Sequence, residues 1–133
     1  MLVELKVQNF ALIQSIHIHF QNGLNILSGE TGAGKSILLK SLALLMGFKA
    51  DSDILKDENS VASVEGSFDL SQRKDILERL VEMGIPCEDN QLIVRRLISW
   101  QGKNRVYLNT ALSPVSALQD LVAPLVEMAG HGA

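Results

Sequence analysis

The chain alternates between short segments with strand periodicity and longer ones with helical periodicity. Residues 2–7 place Val3, Leu5 and Val7 on one side and Leu2, Glu4 and Lys6 on the other, the two-residue period of a strand. Residues 15–20 alternate again, with Ile16, Ile18 and Phe20 opposite Ser15, His17 and His19. Between them, residues 8–14 read as a connection or a bulged extension. Gln21-Asn22-Gly23 is turn chemistry, because Asn and Gly tolerate positive φ, and residues 24–27 form a short apolar strand. From Gly34 to about Met46 the chain is apolar on nearly all sides, which predicts a helix lying in the core, stopped by Gly47. Residues 49–60 are polar and read as a surface loop. Residues 61–70 predict a strand with Val64, Gly66 and Phe68 opposite Ser63, Glu65 and Ser67. Asp69 or Ser71 is the expected cap of a helix with an apolar stripe at Ile76, Leu77, Leu80, Val81 and Met83, ended by Gly84 and Pro86. Residues 91–99 and 105–109 read as a hairpin joined through residues 100–104. Ser113-Pro114 opens a last helix running to about Val122. Pro124 closes it, and residues 125–128 form a final short strand.

Composition narrows this picture. The 133 residues suit one domain, and 47% are hydrophobic, enough for a substantial core. With 12 basic and 15 acidic residues the formal charge is −3, so no global attraction to nucleic acid or anionic lipid is expected. One cysteine, Cys87, excludes an intrachain disulfide and a four-cysteine zinc site. The N-terminus lacks the apolar run of a signal peptide, and residues 42–46 are too few to cross a bilayer. The reading is a soluble, cytoplasmic protein with no membrane partner.

The chemistry is concentrated in Gly29-Glu30-Thr31-Gly32-Ala33-Gly34-Lys35-Ser36. Gly29, Gly34, Lys35 and Ser36 meet the Gly-x-x-x-x-Gly-Lys-Ser spacing of a phosphate-binding loop, between an expected strand and an expected helix. Glycines let successive backbone N–H groups turn inward toward phosphate oxygens. The helix adds its unpaired N-terminal N–H groups and the positive end of its dipole. Lys35 is the expected contact to the β- and γ-phosphates, and the Ser36 hydroxyl the expected Mg²⁺ ligand. Glu30, Thr31 and Ala33 act through backbone position. The expected ligands are ATP and Mg²⁺. Hydrolysis also needs an acidic residue at a strand end and a group that orients water. Asp69 is the nearest candidate, and it follows only a moderately apolar segment.

Several stretches together resemble one family. Leu2-x-x-Leu5-x-Val7-x-Asn9-Phe10-Ala11-Leu12-Ile13, then Phe20-x-x-Gly23-Leu24-Asn25-Ile26-Leu27 running into the glycine loop, resemble the start of the RecN family of bacterial double-strand-break repair ATPases. Val64-Glu65-x-x-Phe68-Asp69-Leu70, Leu92-Ile93-Val94-Arg95-Arg96 and Gly102-Lys103-Asn104-Arg105-Val106-Tyr107-Leu108-Asn109 agree with it. Related SMC-type proteins more often carry an Asn-Gly pair in the loop, so Glu30-Thr31 favours RecN. The resemblance implies an α/β fold: a P-loop NTPase, the N-terminal half of an ABC-type (SMC-like) ATPase head with an antiparallel β layer. It implies that residues 1–133 are the N-terminal lobe of that head, a fragment without the coiled coil and C-terminal half. Hydrolysis would require that half and a second head in a homodimer, so this chain is expected to turn over ATP slowly or not at all. DNA is the implied partner of the full-length protein, which would be nucleoid-associated. Two alternatives stand beside this reading: a non-catalytic head-pairing module, and the ATPase subunit of another ABC-type system. The residues from Asn9 to Ile13 and the absence of a tyrosine before the loop disfavour a transporter ATPase. His131 falls where the family carries a glutamine that contacts magnesium and water; imidazole is a poor Mg²⁺ ligand.

Other features have plainer readings. Arg95, Arg96, Lys103 and Arg105 cluster on the expected hairpin and are candidates for the DNA backbone, but charges also protect sheet edges, and a solvated edge is the expectation. Trp100 is a candidate base-stacking group. His17 and His19 share a strand face and suggest a metal; without a third ligand they read as a solvent-facing pair. By resemblance, residues 9–12 lie beside the nucleotide and Lys49 stands where the family often has arginine. Cys87 shows no partner for nucleophilic work.

Overall fold

A computed structural model describes residues 1–10, 13–20, 32–100 and 103–130. Its frame is a six-stranded sheet: β1 Leu2–Phe10, β2 Ile13–His19, β3 Val61–Asp69, β4 Gln91–Ser99, β5 Asn104–Leu108 and β6 Ala111–Ser113, in the order β2-β1-β3-β4-β5-β6. Every neighbouring pair is antiparallel. Among the described residues, three α-helices complete it: α1 Gly32–Leu45, α2 Lys74–Glu82 and α3 Ala123–Gly130. The α1 helix packs on β3 and β4, and α3 packs on α1 and β1. The expected turn at residues 21–23 and strand at residues 24–27 lie outside the described residues.

The alternation expected in β1 is interrupted. Leu2 pairs with Phe68 but Glu4 with Ser67, so β1 holds one extra residue between those positions. This bulge moves Leu2 to the core side with Leu5 and Val7, all three nearly inaccessible. It leaves Glu4 and Lys6 on the outer face, where Lys6 Nζ lies 3.9 Å from Glu65 Oε2. β2 is sided as expected, with Ser15, His17 and His19 exposed.

The α1 helix starts two residues earlier than the pattern suggested, and it is not buried all round. Leu38, Leu42, Leu44 and Leu45 are buried, whereas Leu39 is 48% exposed. Buried Ser41 donates its hydroxyl to the Ile37 carbonyl at 2.8 Å, which removes the cost of a polar group there. Gly66 lets the helix come close to the sheet: a Cβ at that position would stand 2.8 Å from Leu45 Cδ1. The polar loop after α1 has a buried side, since Ile54 and Leu55 join the core and Leu55 bridges Phe10.

Neither expected cap serves α2. Asp69 Oδ1 instead accepts the Ser71 N–H at 2.9 Å, closing a turn before the helix. The helix begins later, after Arg73, whose guanidinium pairs with Asp75. Its buried stripe is Ile76 and Leu80; Val81 (72%) and Met83 (46%) face outward. Beyond the hairpin there is an additional strand, β6, reached through Asn109 in the left-handed region at φ 56°. Ser113 ends that strand and donates its hydroxyl to Ala111 rather than capping the last helix.

Pro124 does not end that helix. Residues 118–122 form one π-helical turn and α3 continues through the proline. Pro124 has no N–H, and its ring would clash with the carbonyl four residues back. Widening the turn so that the Ala123 N–H donates to the Leu118 carbonyl accommodates it. Leu118, Leu121, Val122, Leu125 and Val126 then form one buried stripe. The strand expected at residues 125–128 is therefore the C-terminal part of a helix.

Candidate functional site

The phosphate-loop motif straddles the edge of the described region. Gly29, Glu30 and Thr31 lie outside it, as do Ala11, Leu12 and His131. Gly32, Ala33, Gly34 and Lys35 are the first four residues of α1, and Ser36, the fifth, is exposed. No acidic residue stands in the first turn of α1. The N–H groups and positive dipole end of the helix thus meet no competing carboxylate from its own first turn. This donor set of backbone amides, one lysine and one hydroxyl suits a phosphate chain with a hard cation.

The other end of α1 is closed tightly. Gly47 sits at φ +93°, and the Gly47 and Phe48 N–H groups donate to the Leu44 and Ala43 carbonyls at 3.1 Å each. Gln119 Nε2 donates to the Gly47 carbonyl at 3.2 Å. Arg96 completes the cap. Its Nη1 donates to the Leu44 and Phe48 carbonyls, both at 2.7 Å, and its Nε to Asn104 Oδ1 at 2.9 Å. Arg96 is only 2% exposed, and burial pulls its guanidinium below the usual arginine range. A cation at a helix C-terminus is favoured by the dipole. This corrects the expectation for one member of the basic cluster: Arg96 points into the core and is neither a solvated edge charge nor a surface contact.

The rest of that cluster is on the surface. Arg95, Lys103 and Arg105 are exposed, with the Arg95 guanidinium 5.1 Å from the Tyr107 ring centroid. Trp100 is 37% exposed, and Lys49 is exposed. Asn9 adopts φ 63° and donates its amide to the Val61 carbonyl at 3.2 Å, so it ties β1 to the start of β3. Asp69 is exposed, but its carboxylate is held below the usual range by the Ser71 N–H it accepts. That turn occupies the one carboxylate considered as a magnesium ligand. Cys87 is partly buried, which raises its thiol above the ordinary value.

His17 and His19 have the third group that the sequence did not reveal. Register puts Glu4 directly opposite His19. Glu4 Oε2 is hydrogen-bonded to His17 Nε2 and lies 3.5 Å from His19 Nε2. Cross-strand pairing supplied this neighbour, thirteen to fifteen positions away in sequence, which the period of either strand alone does not show.

Comparison with known proteins decides the family. The AAA domain family model matches residues 4–112. The chain belongs to that family. It is similar to the DNA repair protein RecN of Bacillus subtilis (strain 168), 35% identical over 131 residues, covering 98% of this chain and 23% of that protein. RecN of Synechocystis sp. is 40% identical over 136 residues, with 99% and 23% covered. The chain thus spans about a quarter of the length of these curated relatives. Among solved structures, one from work on ATP-driven dimerization and DNA-stimulated activation of SMC ATPases superposes with a TM-score of 0.67 at 18% identity, covering 98% of this chain and 81% of that one. The Smc head domain of Pyrococcus furiosus bound to the C-terminal domain of ScpA gives a TM-score of 0.64 at 19% identity, covering 91% and 32%. The fold is that of an SMC-like, ABC-type ATPase head, mixed α/β with an antiparallel β layer, and the RecN resemblance holds along nearly the whole chain. Among the described residues, no helix is long and apolar enough to cross a membrane.

Proposed function

We propose that this chain is the ATP-binding N-terminal lobe of a RecN-like ATPase head that acts in DNA double-strand-break repair. The observation that carries the reading is the join between motif and helix. Gly32 to Ser36 of the motif open α1, whose first turn holds no acid and whose opposite end is locked by Gly47, Gln119 and Arg96. A fixed helix aims a fixed set of amides, which lowers the ordering cost of binding.

In this reading the backbone of Gly29, Glu30, Thr31, Gly32, Ala33 and Gly34 cradles the phosphates, Lys35 pairs with the β- and γ-phosphates, and Ser36 holds Mg²⁺. Bound Mg²⁺ neutralises charge on the phosphate oxygens. Asp69 is committed to its own turn through the Ser71 N–H that it accepts. The account therefore assigns this lobe binding, with hydrolysis requiring a C-terminal half-head and a second head paired in a homodimer. DNA is the partner of the assembled protein, and the cytoplasm, at the nucleoid, its place.

A second reading, a head-pairing module, is favoured by exposed Leu39, Phe48 (59%) and Leu112 (69%). Size-exclusion chromatography with and without Mg-ATP separates the two. ATP-dependent association or monomeric binding supports the first, and nucleotide-independent dimers support the second. Steady ATP turnover by this chain, abolished in Lys35→Ala, would overturn the assignment of binding without hydrolysis.

A further inference from the structure

We propose that Glu4, His17 and His19 form a Zn²⁺ site on the outer face of the β1–β2 hairpin, with water completing the coordination. The site shares no residue with the phosphate-loop motif, and its chemistry differs. Two imidazoles and one carboxylate make a borderline donor set that suits Zn²⁺ and disfavours Mg²⁺, which prefers all-oxygen surroundings.

The geometry comes from the sheet. His17 and His19 are two apart on β2, so both project from the same face, and antiparallel pairing sets Glu4 on that face directly across from His19. The candidate donor atoms of the three residues all lie within 4.8 Å of one another. Both Nε2 atoms turn toward one oxygen, Glu4 Oε2. In a tetrahedral zinc site with bonds of about 2.0–2.2 Å, donors stand about 3.3–3.6 Å apart. The His19–Glu4 separation of 3.5 Å already falls there.

The surroundings are compatible with a cation. Glu4 is the least exposed of the three, at 23% of its side chain, against 50% for His17 and 70% for His19. Lys6, opposite His17 on the same face, is a nearby positive group, and Glu65 stands beside it at 3.9 Å. The exposed side leaves room for water, as in three-ligand zinc sites. A metal here would tie the edge strand β2 to β1.

The test is calorimetric titration of the chain with Zn²⁺ alone, with Mg²⁺ as a parallel arm, supported by the visible spectrum of the Co²⁺ adduct and by the melting temperature with and without Zn²⁺. The expected result is one Zn²⁺ per chain, an intense low-coordination Co²⁺ spectrum, a raised melting temperature and no Mg²⁺ competition. Loss of a group that merely orients a metal ligand costs about 10–100-fold in affinity, so His17→Ala, His19→Ala and Glu4→Gln are each expected to weaken binding at least about tenfold. His131→Ala, which alters the remaining histidine of the chain, should leave binding unchanged. No Zn²⁺ uptake by the unaltered chain, or unchanged affinity in the His17→Ala/His19→Ala double variant, would overturn the proposal. The unaltered chain's own titration decides the matter even where a variant folds poorly.

Discussion

The two ends of α1 are built on opposite plans. The C-terminal end is satisfied from within the protein: Gly47 turns the chain back, Gln119 and Arg96 donate to its carbonyls, and Leu44, Gly47 and Arg96 are buried. The N-terminal end carries glycines, one lysine and an exposed serine, and no acid. Helix ends that are closed inside a core cost nothing further on folding, whereas an end furnished with donors suits an anion supplied from outside. The contrast separates the part of the helix that holds the fold together from the part available to chemistry. Changes at one end should register in stability and changes at the other in ligand affinity.

The largest expected effect is at the closed end. Arg96→Met keeps the length of the side chain but removes every donor. The Phe48 carbonyl and Asn104 Oδ1 each lose the guanidinium, while the Leu44 carbonyl keeps the Gly47 N–H. Hydrogen bonds to a charged donor are worth about 1.5–3 kcal/mol each, and the variant no longer has to desolvate a guanidinium, so the expected loss is about 2–4 kcal/mol, read as a lower denaturation midpoint. A stability near that of the unaltered chain would break the comparison.

The next effect is at the open end. Lys35→Ala removes one charge-assisted contact, worth about 1.5–3 kcal/mol, so Mg-ATP affinity should fall about 10–100-fold with the melting temperature unchanged. Equal losses in both would mean that this end is also structural. Gly47→Ala comes third. A non-glycine residue in the left-handed region costs about 1–2 kcal/mol, and the new Cβ would stand 2.6 Å from Gln119 Cγ. Stability should drop by at least about 1 kcal/mol in a chemical melt, with nucleotide affinity largely kept.

The smallest effect is set by pH. Four carboxylates are held below their usual range: Glu4 chiefly by the hydrogen bond with His17, Asp57 by the Asn59 N–H, Asp69 by the Ser71 N–H and Asp75 by Arg73. A depressed carboxylate contributes stability that is present above its unfolded pKa and lost as pH falls through its folded value. Stability should therefore be flat near neutrality and decline below about pH 4. No acid lies in α1 or its cap, so Arg96→Met should lower stability by the same amount at every pH and keep the shape of its pH dependence. A changed shape would show that the closed end is coupled to these surface groups.

Much of this architecture was readable from periodicity. β3, β4, the β4–β5 hairpin and the sidedness of β2 follow directly from two-residue alternation. Local pattern failed where a distant partner decided the outcome. Leu2 joins the core because of a bulge that only its pairing with β3 defines. Pro124 reads as a terminator, but the Leu121–Val126 stripe buries enough apolar surface to favour a π-helical turn over a break. Arg96 looks like its neighbour Arg95 in sequence, yet strand alternation sends one inward and one outward, and only the α1 terminus explains a buried cation. The Glu4–His17–His19 cluster lies across two strands for the same reason. Resemblance to RecN, by contrast, was carried by continuous stretches of sequence and needed no tertiary information.

The most direct test of the open-end account is amide NMR of the chain titrated with Mg-ATP. The account predicts saturable shifts concentrated in residues 29–36, small ones in residues 44–48 and around Arg96, and loss of the response in Lys35→Ala. Shifts centred on another surface, or a response in residues 29–36 that persists in Lys35→Ala, would contradict it.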